Sequence, residues 1–122
     1  METVYSLIDL NIPLKYVKFL EHFLRNLSTV KSVDRVILFG SSARSGVHIG
    51  SDIDLMILGD GITEDEEVFI NFDCCPTYPC DFYLPCDIFT LDHYSYNSWK
   101  SEIGSLYWRI EQDGKDLTNI LR

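Results

Sequence analysis

Two apolar runs separated by a short polar loop constrain the fold of this chain more than any other feature. The first run, VDRVILFG at residues 33–40, is rich in β-branched and aromatic side chains and ends at Gly40. The second, DIDLMILG at residues 52–59, ends at Gly59. Short apolar runs of this composition bounded by glycine predict two β-strands, and the loop predicts a hairpin-like connection between them.

The second run begins with two carboxylates, Asp52 and Asp54. Residues two apart in a strand project from the same face, so both carboxylates can reach one cation while Ile53 and Leu55 point into a core. Without a cation they would repel each other and one pKa would rise. All-oxygen ligands favour a hard cation such as Mg²⁺. Paired aspartates at a strand start also serve as turn and capping residues, so the pair alone leaves both interpretations open.

Gly40 and Ser41 supply a second polar feature beside the two aspartates. The segment SSAR that follows Gly40 predicts a short helix with Ser41 or Ser42 as its cap. Glycine lets backbone amides approach a ligand closely, and a helix N-terminus favours an anion. Ser41 adds a hydroxyl group. An anion site next to cation ligands suits a complex of a metal ion with a nucleoside triphosphate.

The rest of the chain predicts helices around a small sheet. Leucines, valine and phenylalanine recur at helical spacing over residues 14–28, which predicts an amphipathic helix. CDIFTL at residues 86–91 predicts a third strand. A later set of apolar residues also has helical spacing and is followed by a predicted turn, EQDGKDL, at residues 111–117. That set comprises Trp99, Ile103, Leu106, Tyr107 and Ile110.

Two segments of the middle of the chain are less regular. DGITEDEE at residues 60–67 is acidic and predicts a turn, and residues 68–72 fit either a strand or the end of a helix.

With 122 residues the chain has room for one core. We therefore predict a single α/β (α+β) domain over residues 1–122, with a small mixed sheet of three or more strands flanked by helices.

Charge and hydropathy exclude several functions. The formal net charge of −9 counts against direct nucleic-acid binding, which needs clusters of Lys and Arg. No apolar run is long enough to cross a membrane, and the N-terminus lacks a basic stretch followed by an apolar one. We therefore expect no signal peptide, no membrane contact and a cytoplasmic location.

All four cysteines fall within CCPTYPCDFYLPC, at Cys74, Cys75, Cys80 and Cys86. They contain no CxxC pair, and their spacing does not match common zinc sites. We predict free thiols and no structural zinc, and the sequence leaves the role of the cluster open.

The stretch GSSARSGVHIGSDIDL resembles the signature of the minimal nucleotidyltransferases of the DNA polymerase β-like superfamily. That signature is Gly-Ser, ten residues, then Asp-x-Asp, with Ala-Arg near its start. Gly40 and Ser41 match its Gly-Ser, Arg44 its arginine, and Asp52 and Asp54 its aspartates. The family commonly has Gly after the arginine, where this chain has Ser45 followed by glycine. The resemblance implies the polymerase β-like palm fold.

The resemblance also implies a third carboxylate on a neighbouring strand, in a pattern like Pro-x-x-x-Asp followed by apolar residues. LPCDIFTL offers Asp87, which we take as the match. Asp81 in PCDFYL is the alternative, because the two segments look alike.

In such an enzyme Asp52, Asp54 and Asp87 would be the catalytic and metal-binding residues. They would hold two Mg²⁺ ions, with ATP as the nucleotide donor. The nucleotide would be bound by Gly40, Ser41, Arg44 and Ser51. Attack of an acceptor hydroxyl on the α-phosphorus would release pyrophosphate. Arg44 fits two roles equally, neutralising phosphate charge or bracing the loop through a nearby carboxylate.

The acceptor is not named by any residue. Stand-alone minimal nucleotidyltransferases resemble the antitoxins of toxin–antitoxin pairs, in which AMP is added to a tyrosine of a HEPN-domain toxin. The resemblance therefore implies an antitoxin with a HEPN toxin as partner, in a homo- or hetero-oligomer. Two alternatives are a nucleotidyltransferase for a small molecule such as an antibiotic, and an antitoxin that neutralises its partner by contact without catalysis.

Overall fold

A computed structural model describes residues 1–43, 52–77 and 79–121. Its centre is a mixed five-stranded sheet in the order β1-β5-β2-β3-β4. The strands are β1 (Glu2–Thr3), β2 (Arg35–Phe39), β3 (Ile53–Leu58), β4 (Cys86–Leu91) and β5 (Lys115–Asp116). Strands β2 and β3 are antiparallel neighbours, and β3 and β4 are parallel neighbours. The predicted fold class and the three predicted strands are confirmed.

Five α-helices flank the sheet. They are α1 (Leu14–Leu27), α2 (Glu64–Val68), α3 (His93–Trp99), α4 (Leu106–Asp113) and α5 (Thr118–Leu121). Short 3₁₀ helices span Leu7–Leu10 and Gly40–Ala43, and a π-helical turn spans Phe69–Asp73. The predicted helix over residues 14–28 is confirmed, and so is the short helix after Gly40. No helix within the described ranges has the length and apolarity that a membrane crossing requires.

The central strands β2 and β3 are buried on both faces, and their sequences are therefore nearly continuous apolar runs. One face packs with α1 into the larger cluster, which includes Leu38, Ile53 and Leu55. The other face forms a smaller cluster that includes Met56 and Ile110. Ile53 and Leu55 are fully buried, so their predicted place in a core is confirmed.

The prediction of a turn over the acidic segment is wrong for residues 64–67, which form the first four residues of α2. The reason is a capping box: the Thr63 hydroxyl accepts a hydrogen bond from the Glu66 backbone N–H, and the Glu66 carboxylate accepts one from the Thr63 N–H. The chain then continues into the π-helical turn, so residues 68–72, for which the sequence left two options, are helical.

The helical spacing after β4 predicts one helix, whereas the structure has two, α3 and α4. Between them Gly104 adopts a positive φ of 89°, and Ser105 caps α4 by accepting a hydrogen bond from the Trp108 backbone N–H. Ile110 is buried, whereas Trp99 and Ile103 are exposed. Spacing alone does not report such a break because a left-handed residue interrupts a helix without changing the apolar pattern.

The predicted turn at residues 111–117 is wrong in part. Helix α4 runs to Asp113 and ends at Gly114 as expected. The next two residues form β5, which pairs with β1 and β2 and so completes the sheet. A two-residue strand carries too little pattern to be recognised before its partners are known.

Candidate active site

Asp54 and Asp87 lie side by side on neighbouring parallel strands. They are register partners in the β3–β4 pair, so both side chains project from the same face. On its other side Asp54 is the register partner of Phe39, the last residue of β2. Asp54 is half-buried and Asp87 is exposed. The pair therefore lies where the end of β2 meets the beginnings of β3 and β4.

Burial and neighbouring charge act together on Asp54. Desolvation is the largest cause, followed by the charges of Asp87 and Asp52 and a hydrogen bond with the Asp87 side chain; together they raise the pKa of Asp54 to about 6 from its ordinary value of 3.8. The conflict between neighbouring carboxylates that the sequence predicts is therefore present. Asp52 itself is exposed and directly precedes β3.

Gly40 makes room for the Asp54 carboxylate. A Cβ atom at this position would lie 2.2 Å from Asp54 Oδ2, and the φ angle of Gly40 is +74°. Residues other than glycine rarely adopt this backbone conformation. Glycine is thus required here twice, by the backbone geometry and by the close approach of the carboxylate.

Ser42 ties the short 3₁₀ helix to the start of β3. Its buried hydroxyl donates a hydrogen bond of 2.6 Å to the backbone carbonyl of Asp52. The sequence suggested Ser42 only as a helix cap, and its role as a brace for the Asp52 backbone could not be read from spacing. Ser41, predicted to bind nucleotide, is exposed on the same short helix.

The other predicted nucleotide-binding residues, Arg44 and Ser51, lie outside the described residues. Asp81, the alternative third carboxylate, is exposed and precedes β4 in a turn in which the Tyr83 N–H donates to the Cys80 carbonyl. The structure thus places Asp87, and not Asp81, opposite Asp54.

Arg109 lines a cavity beside Gly40, a position that no sequence motif indicated. A cavity of about 140 Å³ adjoins Gly40 and is lined by six residues: Phe39, Gly40, Leu106, Arg109, Ile110 and Asp113. Gly40, which makes room for the Asp54 carboxylate, thus shares this cavity with Arg109. No short motif could have identified Arg109, since it reaches the cavity only through the packing of α4 on β2 and the 3₁₀ helix.

The carboxylates of Asp52, Asp54 and Asp87 suit a hard cation, because all their ligand atoms are oxygen. A bound cation would also reduce the repulsion between the three carboxylates. Their present arrangement is not a finished site: in the described ranges no group of three or more His, Cys, Asp or Glu side chains is placed to hold a metal ion. The prediction that no zinc is present stays a prediction.

The four cysteines are free thiols. Cys74 is fully buried, and burial followed by the charge of Asp73 raises its pKa to about 12. Cys75 and Cys86 are half-buried with their Sγ atoms 3.4 Å apart. The hydrogen bond with Cys86 and burial raise the pKa of Cys75.

A comparison with protein families gives a match to the nucleotidyltransferase domain over residues 18–117. This span covers most of the chain and contains Gly40, the three aspartates and Arg109. The protein therefore belongs to the nucleotidyltransferase domain family, which supports the polymerase β-like relationship that the sequence motif predicted. No curated protein matched the chain in a sequence search.

Proposed function

We propose that this protein transfers a nucleoside monophosphate, AMP from ATP, to a hydroxyl group of an acceptor. The observation that carries the proposal is the pairing of Asp54 with Asp87 beside Asp52, in which neighbouring carboxylates and burial raise the pKa of Asp54. Carboxylates held together at such a cost are typical of functional sites.

In this proposal Asp52, Asp54 and Asp87 hold divalent cations, Mg²⁺ being the ion that oxygen ligands of this kind favour. Bound ions would neutralise phosphate charge and lower the pKa of the attacking hydroxyl. The hydroxyl oxygen attacks the α-phosphorus of ATP, the bond from that phosphorus to the bridging oxygen breaks, and pyrophosphate leaves. The hydroxyl proton passes to water or to a carboxylate of the site.

The chain's own contribution is positioning. Gly40 leaves space for Asp54, and the Ser42 hydroxyl holds the backbone of Asp52. The cavity beside Gly40 accommodates part of the nucleotide, with Arg109 as a cation for the phosphates. Holding reactants in a productive geometry accounts for much of the rate enhancement in phosphoryl-group chemistry. Arg44 and Ser51 complete the nucleotide site in this proposal.

We further propose that the acceptor is a tyrosine of a HEPN-domain toxin and that the protein acts as its antitoxin in a hetero-oligomer. A groove of about 720 Å³ next to Asp87 supports a protein acceptor. Its lining includes the exposed apolar side chains Val68 and Phe72 together with Glu64 and Glu67. This mixture of apolar and acidic groups suits a basic protein surface, as does the net charge of −9.

The test is incubation of the protein with α-³²P-labelled ATP, Mg²⁺ and a co-encoded HEPN-domain protein. We expect label on the partner, at one tyrosine identified by peptide mass spectrometry, and no label when Asp54→Asn replaces the native protein. Label that appears on an aminoglycoside instead would support a small-molecule acceptor. A partner that is inhibited equally by the native protein and by Asp54→Asn, without label, would support neutralisation by contact.

A further inference from the structure

Cys75 and Cys86 form a thiol pair that the proposed transfer reaction does not use. They are eleven residues apart in sequence, and their Sγ atoms lie 3.4 Å apart. Cys80, which lies between them in the sequence, is also half-buried.

The fold brings together two sulfurs that lie at the two ends of one segment, since Cys75 precedes residues 76–85 and Cys86 follows them. Cys75 follows the π-helical turn, and its sulfur lies 3.8 Å from the Asn71 carbonyl oxygen. Cys86 is the first residue of β4 and is held in register opposite Ile53 of β3. Both pack against the larger core cluster. The pair therefore joins the end of the α2 region to the beginning of the strand that carries Asp87.

We propose that Cys75 and Cys86 are an oxidative modification site at which a small-molecule disulfide, such as oxidised glutathione, converts the two thiols into an intramolecular disulfide. One cysteine sulfur attacks the glutathione disulfide and forms a mixed disulfide, releasing one reduced glutathione. The other cysteine sulfur then displaces the second glutathione. Two thiol protons and two electrons pass from the protein to the two released glutathione molecules, so the exchange is balanced and reversible.

The bond requires a small movement. A disulfide has a sulfur–sulfur distance of about 2.05 Å, so the two sulfurs must approach by about 1.4 Å. The described part of residues 76–85, which connect the two cysteines, has turns but no helix or strand that the link would disrupt. Cys74 is fully buried, which shields it from the same reagent.

Such a disulfide would restrain the proposed active site at the strand that carries Asp87. Cys86 precedes Asp87 directly, and neighbouring residues of a strand project from opposite faces. A covalent link at Cys86 restricts the backbone that carries the adjacent Asp87. This consequence rests on the proposed function: oxidation lowers the rate of nucleotide transfer, and reduction restores it.

The modification is tested by treating the folded protein with oxidised glutathione and mapping its peptides by mass spectrometry without reduction. We expect a peptide pair joined through Cys75 and Cys86, and an intact mass lower by two hydrogen atoms. The thermal midpoint should rise by at least about 3 °C, because the link constrains the unfolded chain. Dithiothreitol should reverse both changes.

Matched variants define which sulfurs react. Cys75→Ser and Cys86→Ser should each abolish the intramolecular disulfide, whereas Cys80→Ser should leave it unchanged. A stable glutathione adduct without a Cys75–Cys86 link, or a link through Cys80, would overturn the proposal. The peptide map of the native protein gives this answer even if a variant folds poorly.

Transfer activity is measured separately. The oxidised native protein and oxidised Cys80→Ser should transfer nucleotide at least about threefold more slowly than their reduced forms, while the double variant Cys75→Ser, Cys86→Ser should be insensitive to the oxidant. A disulfide that forms without changing the rate would overturn the regulatory consequence. If the reduced native protein transfers no nucleotide at all, the proposed function fails, and the peptide map still decides whether the modification occurs.

Discussion

At the scale of single residues, the structure gathers several constraints around Asp54. Asp54 is half-buried and is the register partner of Asp87 on the neighbouring strand. Its carboxylate also lies against Gly40, where a larger residue would clash with it. Such an arrangement lowers stability unless a cation or a proton compensates the charge. Substitutions of the carboxylates should therefore separate activity from stability.

Asp54→Asn should reduce nucleotide transfer by about 100-fold or more, because it removes a charged ligand from the proposed cation site. The metal-free variant should be at least as stable as the native protein at pH 7. The pKa of Asp54 in the folded state, about 6, exceeds its ordinary value of 3.8, so the folded protein binds this proton more tightly than the unfolded chain. Native stability is therefore lost as the pH rises between those two values.

The stability advantage of Asp54→Asn over the native protein should accordingly grow between about pH 4 and pH 6 and then level off. Chemical denaturation of both proteins in chelator across this range measures the difference. An advantage that is constant with pH would show that Asp54 does not titrate as described.

Asp87→Asn should be nearly as damaging to transfer as Asp54→Asn, because the two carboxylates occupy one register position on neighbouring strands. Asp81→Asn should have a mild effect, because Asp81 lies in an exposed turn before β4. Initial rates of the two variants under identical conditions provide the comparison. The reverse order of effects would assign the third carboxylate to Asp81.

Gly40→Ala should lose both stability and activity, whereas Gly61→Ala is a matched control. Both glycines have a positive φ, +74° and +73°, so each alanine should cost about 1–2 kcal/mol of backbone strain. Only at Gly40 does the added Cβ meet the Asp54 carboxylate; nothing lies within 4 Å at Gly61. Equal transfer rates in the two variants would show that the contact with Asp54 is unimportant.

At the scale of secondary-structure elements, the site depends on how helices seat against the strands. Helix α4 packs on β2 and on the 3₁₀ helix, and this packing brings Arg109 to the cavity beside Gly40. The start of α4 is set by the Ser105 cap. The cap at Ser105 thus helps to place Arg109 of α4 at a cavity whose other lining includes Gly40, which is far away in sequence.

Arg109→Gln should raise the KM for ATP about tenfold with a smaller change in kcat, because a charge-assisted contact with phosphate contributes about 1.5–3 kcal/mol. Arg25→Gln serves as a control, since Arg25 lines a different cavity with Ser28 and Leu121. Steady-state kinetics with varied ATP measure both constants. An unchanged KM in Arg109→Gln would remove this residue from the nucleotide site.

At the scale of the whole molecule, the apolar core is separate from the carboxylates that we propose to bind metal. The core consists of two apolar clusters on the two faces of the sheet, with Leu38 in one and Met56 in the other. The proposed metal ligands Asp52 and Asp87 are exposed at one end of that sheet. The fold therefore rests on apolar packing.

Removal of metal by a chelator should abolish nucleotide transfer and leave the thermal midpoint nearly unchanged. A structural zinc site would contribute on the order of 10 kcal/mol to folding, so its loss would unfold the protein. Activity assays, thermal denaturation and elemental analysis of the purified protein test this prediction. One zinc per chain, together with a collapse of the midpoint on chelation, would contradict it.

The local sequence was sufficient for the elements that build the site. The apolar runs of β2, β3 and β4 carry their strand pattern in consecutive residues, and the motif from Gly40 to Asp54 predicted both the hairpin-like connection and the family. These features are local because side-chain alternation and glycine geometry act over a few neighbouring residues.

Tertiary structure decided what depends on distant partners. The choice between Asp87 and Asp81 as the neighbour of Asp54 followed from the parallel pairing of β3 with β4, and two similar sequence segments cannot report which of them pairs. The same holds for β5, for Arg109, and for the approach of Cys75 to Cys86. Each of these contacts joins residues whose proximity results from packing of the whole core, and no spacing along the chain encodes it.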